Sequence, residues 1–111
     1  MTKATKTKRG SGNVFSDLGL PDADAHMLKA RVVIFIKTLI DQRQLSQMEA
    51  AALMGIAQPD VSKLLRGRFE GFSLERLLEF VRALGSDVEI RMKSPANPKR
   101  GQEGRMSLMV A

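Results

Sequence analysis

LSQMEAAALMGIAQPDVSKLLRG, Leu45 to Gly67, reads as two short helices joined by a tight turn. Ser46 is placed to accept a hydrogen bond from the backbone near Glu49, and Glu49 to reach back to the Ser46 amide, the reciprocal pattern of a capping box. A helix therefore starts at Gln47, with Ala50, Ala51 and Met54 on one narrow face and Ala51 small enough for another helix to approach closely. Gly55 ends it, as the residue that best tolerates a left-handed backbone. The next helix is expected to start with Gln58 as cap and Pro59 at its first position, where a missing N–H costs nothing. Asp60 suits the positive end of the helix dipole. Val61, Leu64 and Leu65 fall on one side and should be buried, while Pro59, Ser62, Lys63 and Arg66 fall on the other and should be presented. A short helix with a cationic, hydrogen-bonding face, held across a turn by a smaller helix, has the geometry of a helix-turn-helix.

The ordered set Ser46-Gln47-x-Glu49-Ala50-Ala51, Met54-Gly55-Ile56 and Gln58-x-x-Val61-Ser62-x-Leu64-Leu65-Arg66-Gly67 resembles the lambda-repressor-like (Cro/C1, or XRE) class of DNA-binding domains. The resemblance implies an all-α helix-turn-helix bundle of about four to five helices, with the second helix of the pair in the major groove of double-stranded operator DNA.

The 111 residues suffice for one small domain and not for two. There is no Cys, which excludes disulfides and thiolate metal sites, and a single His with no Trp or Tyr leaves little for catalysis. No Ser, His and Asp arrangement, paired carboxylate motif or glycine-rich phosphate loop appears, so an enzyme is not expected, nor any cofactor or metal. Glu75 and Glu79 share a helix face by spacing and read as solvent-facing charges; His26 reads as a surface or capping residue. The longest apolar run, Val32 to Ile36, is too short to span a bilayer, and the N-terminus lacks a long apolar region, so the chain reads as cytoplasmic.

The net charge of +6 belongs to the tails. Residues 1–12 carry Lys3, Lys6, Lys8 and Arg9, and residues 94–111 carry Lys99, Arg100 and Arg105 against Glu103, which leaves residues 13–93 neutral. DNA binding must therefore be argued from the local placement of Lys63, Arg66 and Arg68. Tails 1–12 and 94–111 are expected to be disordered, because they have little apolar surface to offset ordering entropy; they would add at most sequence-independent phosphate contacts.

Between the tails, Val14, Phe15, Leu18 and Leu20 form an apolar stretch that should pack on its own domain or on a partner. Pro21 and Asp22 open a long helix to about Gln44, with Leu28, Val32, Phe35 or Ile36, and Leu39 inward. Val32 to Ile36 is apolar all round, which leaves open a helix enclosed by its domain or one that also meets a second molecule. After the loop from Arg68 to Gly71, Ser73 caps a helix stapled by Phe72 and Leu77, carrying Leu74, Leu77, Leu78, Val81 and Leu84 inward and ending at Gly85. In Ser86 to Lys93 the period switches: Val88, Ile90 and Met92 alternate with charged residues, the pattern of a half-buried β-strand. Its partner is the same strand of a second subunit, the Asn13–Leu18 segment, or another protein; a homodimer is favoured, because dimeric helix-turn-helix proteins read two half-sites.

On DNA, Gln47 would meet a phosphate and Gln58 would read a base, since Gln pairs bidentately with adenine. Pro59 occupies a position that often reads bases in the family; lacking a donor, it leaves an apolar contact such as a thymine methyl. Ser62 and Lys63 point into the same groove, and Arg66 and Arg68 look like phosphate clamps. Asp60 either accepts from a cytosine amino group or turns inward at the helix start, the second being favoured.

The longer run, from Asn13-Val14-Phe15-Ser16-Asp17-Leu18 through Gly71-Phe72-Ser73-Leu74 to Asp87-Val88-Glu89-Ile90, resembles the small HigA-like antitoxins of type II toxin-antitoxin modules. The resemblance implies an autoregulating repressor that neutralises a RelE/HigB-like mRNA-cleaving toxin, with Val14, Phe15, Leu18 and the long helix as toxin-facing candidates. The alternative is a stand-alone phage-type repressor without a toxin partner.

Overall fold

The computed structural model describes residues 22–94, 97, 100, 101 and 103–110. Expectations for 1–21, including the apolar stretch at Val14, Phe15 and Leu18, lie outside the described residues. Among the described residues four helices follow in order: α1 (Asp22–Gln42), α2 (Gln47–Met54), α3 (Gln58–Leu65) and α4 (Leu74–Ala83). Helix α1 packs mainly against α4, and α2 against α3.

The core gathers Leu28, Val32, Val33, Ile36, Leu39 and Ile40 of α1, Ala50, Ala51 and Met54 of α2, Val61 and Leu64 of α3, and Leu74, Leu77, Phe80, Val81 and Leu84 from α4 and its end. Within the apolar run of α1, Val32, Val33 and Ile36 are buried and Phe35 is half-buried, so its own domain encloses most of it; Ile34 alone points outward. Four core residues stand outside the expected faces: Val33 and Ile40 of α1, together with Phe80 and Phe69. Phe80 is buried on α4, where Phe72 meets it edge-on at 5.6 Å and the Arg76 guanidinium lies over both rings. Phe69, in the loop after α3, is buried and carries the exposed His26 ring at 5.0 Å. Leu65, expected in the core, is only half-buried at its margin.

All four helices end alike. An amide two residues beyond α2, or three beyond α1, α3 and α4, bonds back five residues, Ile56 to Ala51, Leu45 to Ile40, Arg68 to Lys63 and Ser86 to Val81. These are 6→1 bonds of Schellman type, which satisfy carbonyls that the helix itself leaves unpaired. The residue just before each of these amides takes positive φ: Gly55 at 74°, Gly67 at 89°, Gly85 at 97°, and after α1 the non-glycine Gln44 at 55°. The long helix thus stops at Gln42 and turns on Gln44. The ends of α1 and α4 are also tied directly, since Arg43 donates to the Gly85 carbonyl at 3.4 Å.

The strand expected at 86–93 is not formed. The segment lies in neither helix nor strand, and the backbone of 87–94 exchanges no backbone hydrogen bond with a described residue. The reason is physical: a strand is held by a neighbour's ladder of hydrogen bonds, and no described segment of this chain supplies one. Val88 is half-buried against the core, but Ile90 and Met92 are 66% and 95% exposed. Among residues 103–110, Leu108 packs at the core margin and its carbonyl accepts from Arg31 at 3.0 Å. No helix of the described residues is long and apolar enough to cross a membrane.

Candidate nucleic-acid interface

Helices α2 and α3 are positioned by local chemistry as much as by the core. Ser46 Oγ accepts from the Glu49 amide at 3.0 Å and Glu49 Oε1 accepts from the Ser46 amide at 2.8 Å, completing the expected capping box. Gly55 then turns the chain in three residues to the N-cap of α3, which is Ala57 rather than Gln58. Gln58 is therefore the first residue of α3 and Pro59 the second. Ala57 has no side chain with which to cap, and its carbonyl accepts instead from the Asp60 and Val61 amides. Asp60 stays half-buried in the first turn.

That one-residue shift places Gln58 beside the start of α2. Its Nε2 donates to Gln47 Oε1 at 2.7 Å, and both side chains are exposed. The bond orients the Gln58 amide and leaves it one N–H donor and its carbonyl acceptor, the pair that adenine requires. The sequence alone assigns Gln47 and Gln58 separate tasks; their contact depends on the angle of the turn, which no residue spacing reveals.

Val61 and Leu64 are sealed in the core and fix the rotation of α3 about its axis. Pro59, Lys63 and Arg66 are consequently exposed and Ser62 half-exposed, as the division of faces predicts. Arg66 forms the C-cap, its amide donating to Ser62 and Lys63 carbonyls, and Arg68 follows one residue beyond Gly67. None of Lys63, Arg66 and Arg68 forms an ion pair with a described residue. Gln58, Pro59, Ser62, Lys63 and Arg66 are thus solvent-accessible along α3 and at its C-cap, with Arg68 exposed in the loop that follows and Gln47 bonded to Gln58 at its start. The arrangement has no group of three or more His, Asp or Glu side chains for a metal among the described residues. It can donate to anionic oxygens and pair with planar hydrogen-bonding edges.

No curated protein matches the chain. A family model described as "Helix-turn-helix domain" matches residues 14–93, and the structure is similar to a solved one named "Putative XRE Family Transcriptional Regulator", with a TM-score of 0.72 and 41% sequence identity over 82% of this chain and 100% of that one. With the capping box, turn and divided faces of α2 and α3 falling inside the matched span, the chain belongs to the XRE-like helix-turn-helix family.

Proposed function

We propose that this chain is a sequence-specific DNA-binding transcriptional regulator that represses as a homodimer. The observation that carries the reading is the Gln58–Gln47 hydrogen bond at the exposed start of α3, which prepares an amide for a base edge beside an amide available to a phosphate. Helix α3 enters the major groove with Gln58 on adenine, Pro59 against a thymine methyl, and Ser62 and Lys63 on neighbouring bases or phosphates. Gln47, Arg66 and Arg68 hold the backbone. Residues 13–93 form the DNA-binding domain, and the basic tail 1–12 adds contacts that carry no sequence information. Val88, Ile90 and Met92 make the dimer contact, pairing residues 86–93 with a second subunit and covering the exposed Ile90 and Met92.

The test is a titration of the chain's own upstream region against a scrambled duplex of equal length at several salt concentrations. Specific binding about 10³-fold or more tighter than non-specific is expected, with both falling as salt rises. Equal affinity for the two duplexes refutes sequence reading.

A finer role as antitoxin is favoured by the sequence resemblance and by Met27 and Ile34, large apolar side chains left exposed on α1. Such residues suit a protein partner. Co-expression with the product of the adjacent reading frame should then yield a stoichiometric complex and relieve growth arrest by that neighbour. Absence of any complex leaves a stand-alone regulator.

A further inference from the structure

Asp87-Val88-Glu89-Ile90-Arg91-Met92-Lys93 has a mirrored charge order: two acids, a central Ile90, then two bases, with the apolar residues Val88 and Met92 set symmetrically between them. From this order, and resting on the homodimer reading above, we infer that two copies of the chain pair this segment as antiparallel strands with the two-fold axis through Ile90.

In that register each residue faces a complement. Ile90 faces the partner's Ile90, Val88 faces the partner's Met92, Glu89 faces the partner's Arg91, and Asp87 faces the partner's Lys93. Side chains directly opposite one another in an antiparallel pair are close enough for such pairs to count, and like charges there repel. Slipping the register by two residues centres the axis on Glu89 or on Arg91, which sets that charge against its own copy. Slipping the register by one residue sets apolar against charged side chains throughout. A parallel in-register pair places every charge beside its like. The Ile90-centred register alone satisfies all seven positions.

The single chain is prepared for this pairing. Glu89 and Arg91 project to one side, since their side chains form an ion pair at 3.0 Å two residues apart, while both remain largely exposed. Of the residues that alternate with them, Val88 is already half-buried on the core, whereas Ile90 and Met92 are exposed. The backbone groups of 87–93 are unengaged by other described backbone. The segment is anchored at its start by the Ser86 to Val81 bond and by Arg43 on Gly85. A second copy thus supplies the missing ladder and carries Ile90 and Met92 into a continuous apolar strip.

The experiment uses the full chain in two charge-sorted variants: an acidic one, Arg91→Glu with Lys93→Glu, and a basic one, Asp87→Lys with Glu89→Lys. All four positions are exposed, so circular dichroism should show helix content equal to that of the parent. Native mass spectrometry and light scattering then read the assembly. The parent should be a dimer. Each variant alone should dimerise at least about tenfold more weakly, and a one-to-one mixture should form heterodimers within about threefold of the parent's affinity, every charged pair being restored. A dimeric parent whose variants show no preference for each other overturns the register and leaves the dimer reading intact. A parent that stays monomeric at every concentration overturns both.

Discussion

Nε2 of Gln58, the first residue of α3, donates to Oε1 of Gln47, the first residue of α2, across 2.7 Å. One hydrogen bond thereby couples the helix that would read bases to the helix that would hold the backbone. Its exposure makes its own contribution to stability small, so its consequence lies in orientation: an amide held by one N–H has its other N–H and its carbonyl aimed in a defined plane.

Gln58→Ala should cost about 1 to 3 kcal/mol at the specific site and leave non-specific binding almost unchanged. Gln47→Ala should weaken the specific site as well, and the two losses should be non-additive, with a coupling of about 0.5 kcal/mol or more in a double-mutant cycle. Fluorescence anisotropy on matched specific and scrambled duplexes measures all four corners. Strict additivity removes the orienting role of the bond.

Arg66 and Arg68 should behave differently from Gln58. Replacing either with Ala should lower affinity by similar factors for every duplex and flatten the slope of log K against log salt by about one. A loss confined to one sequence assigns the arginine to a base instead.

Gln44 sits at φ 55° where the other three helix ends use glycine. A left-handed conformation costs a non-glycine residue about 1 kcal/mol or more, part of which glycine's looser unfolded state gives back. Gln44→Gly should therefore raise stability by up to about 1 kcal/mol in urea unfolding, without affecting DNA binding. Gly55→Ala, at φ 74° and with nothing within 4 Å of an added Cβ, should lower stability by about 1 kcal/mol through backbone strain alone.

Ile90→Asp should give a monomer with unchanged helix content, because the side chain it replaces is 66% exposed in the single chain. Operator affinity should fall with it, since two half-sites are then no longer bound together. Light scattering that still reports a dimer removes the strand from the interface.

What could be read from the sequence was chemistry that acts over three or four residues. The Ser46–Glu49 capping box, the turn at Gly55 and the burial of Ala50, Ala51, Met54, Val61 and Leu64 are local consequences of residue type and helical period. What could not be read depends on contacts distant in the chain. Phe69 lies in a loop without periodicity and is buried because the surrounding helices leave room for it. Phe80 flanks the expected α4 face and is drawn in by Phe72 and Arg76. The cap of α3 falls one residue earlier than Gln58 suggested, since Pro59 is accepted as readily at the second helical position as at the first. The alternation at 86–93 has the period of a strand, but a strand also needs a neighbour, and the single chain provides none among its described residues. In the candidate site, the exposure of Pro59, Lys63 and Arg66 follows from the period of α3; the joining of Gln47 to Gln58 does not.

Selection of binding sites by the full chain from a library of random duplexes addresses sequence reading through α3 most directly. Enrichment of a two-fold symmetric site is expected, its half-sites about one helical turn or a multiple apart, with an adenine in each half whose preference is lost in Gln58→Ala. Failure to enrich any sequence, or an enriched site that Gln58→Ala reads unchanged, contradicts sequence reading through α3.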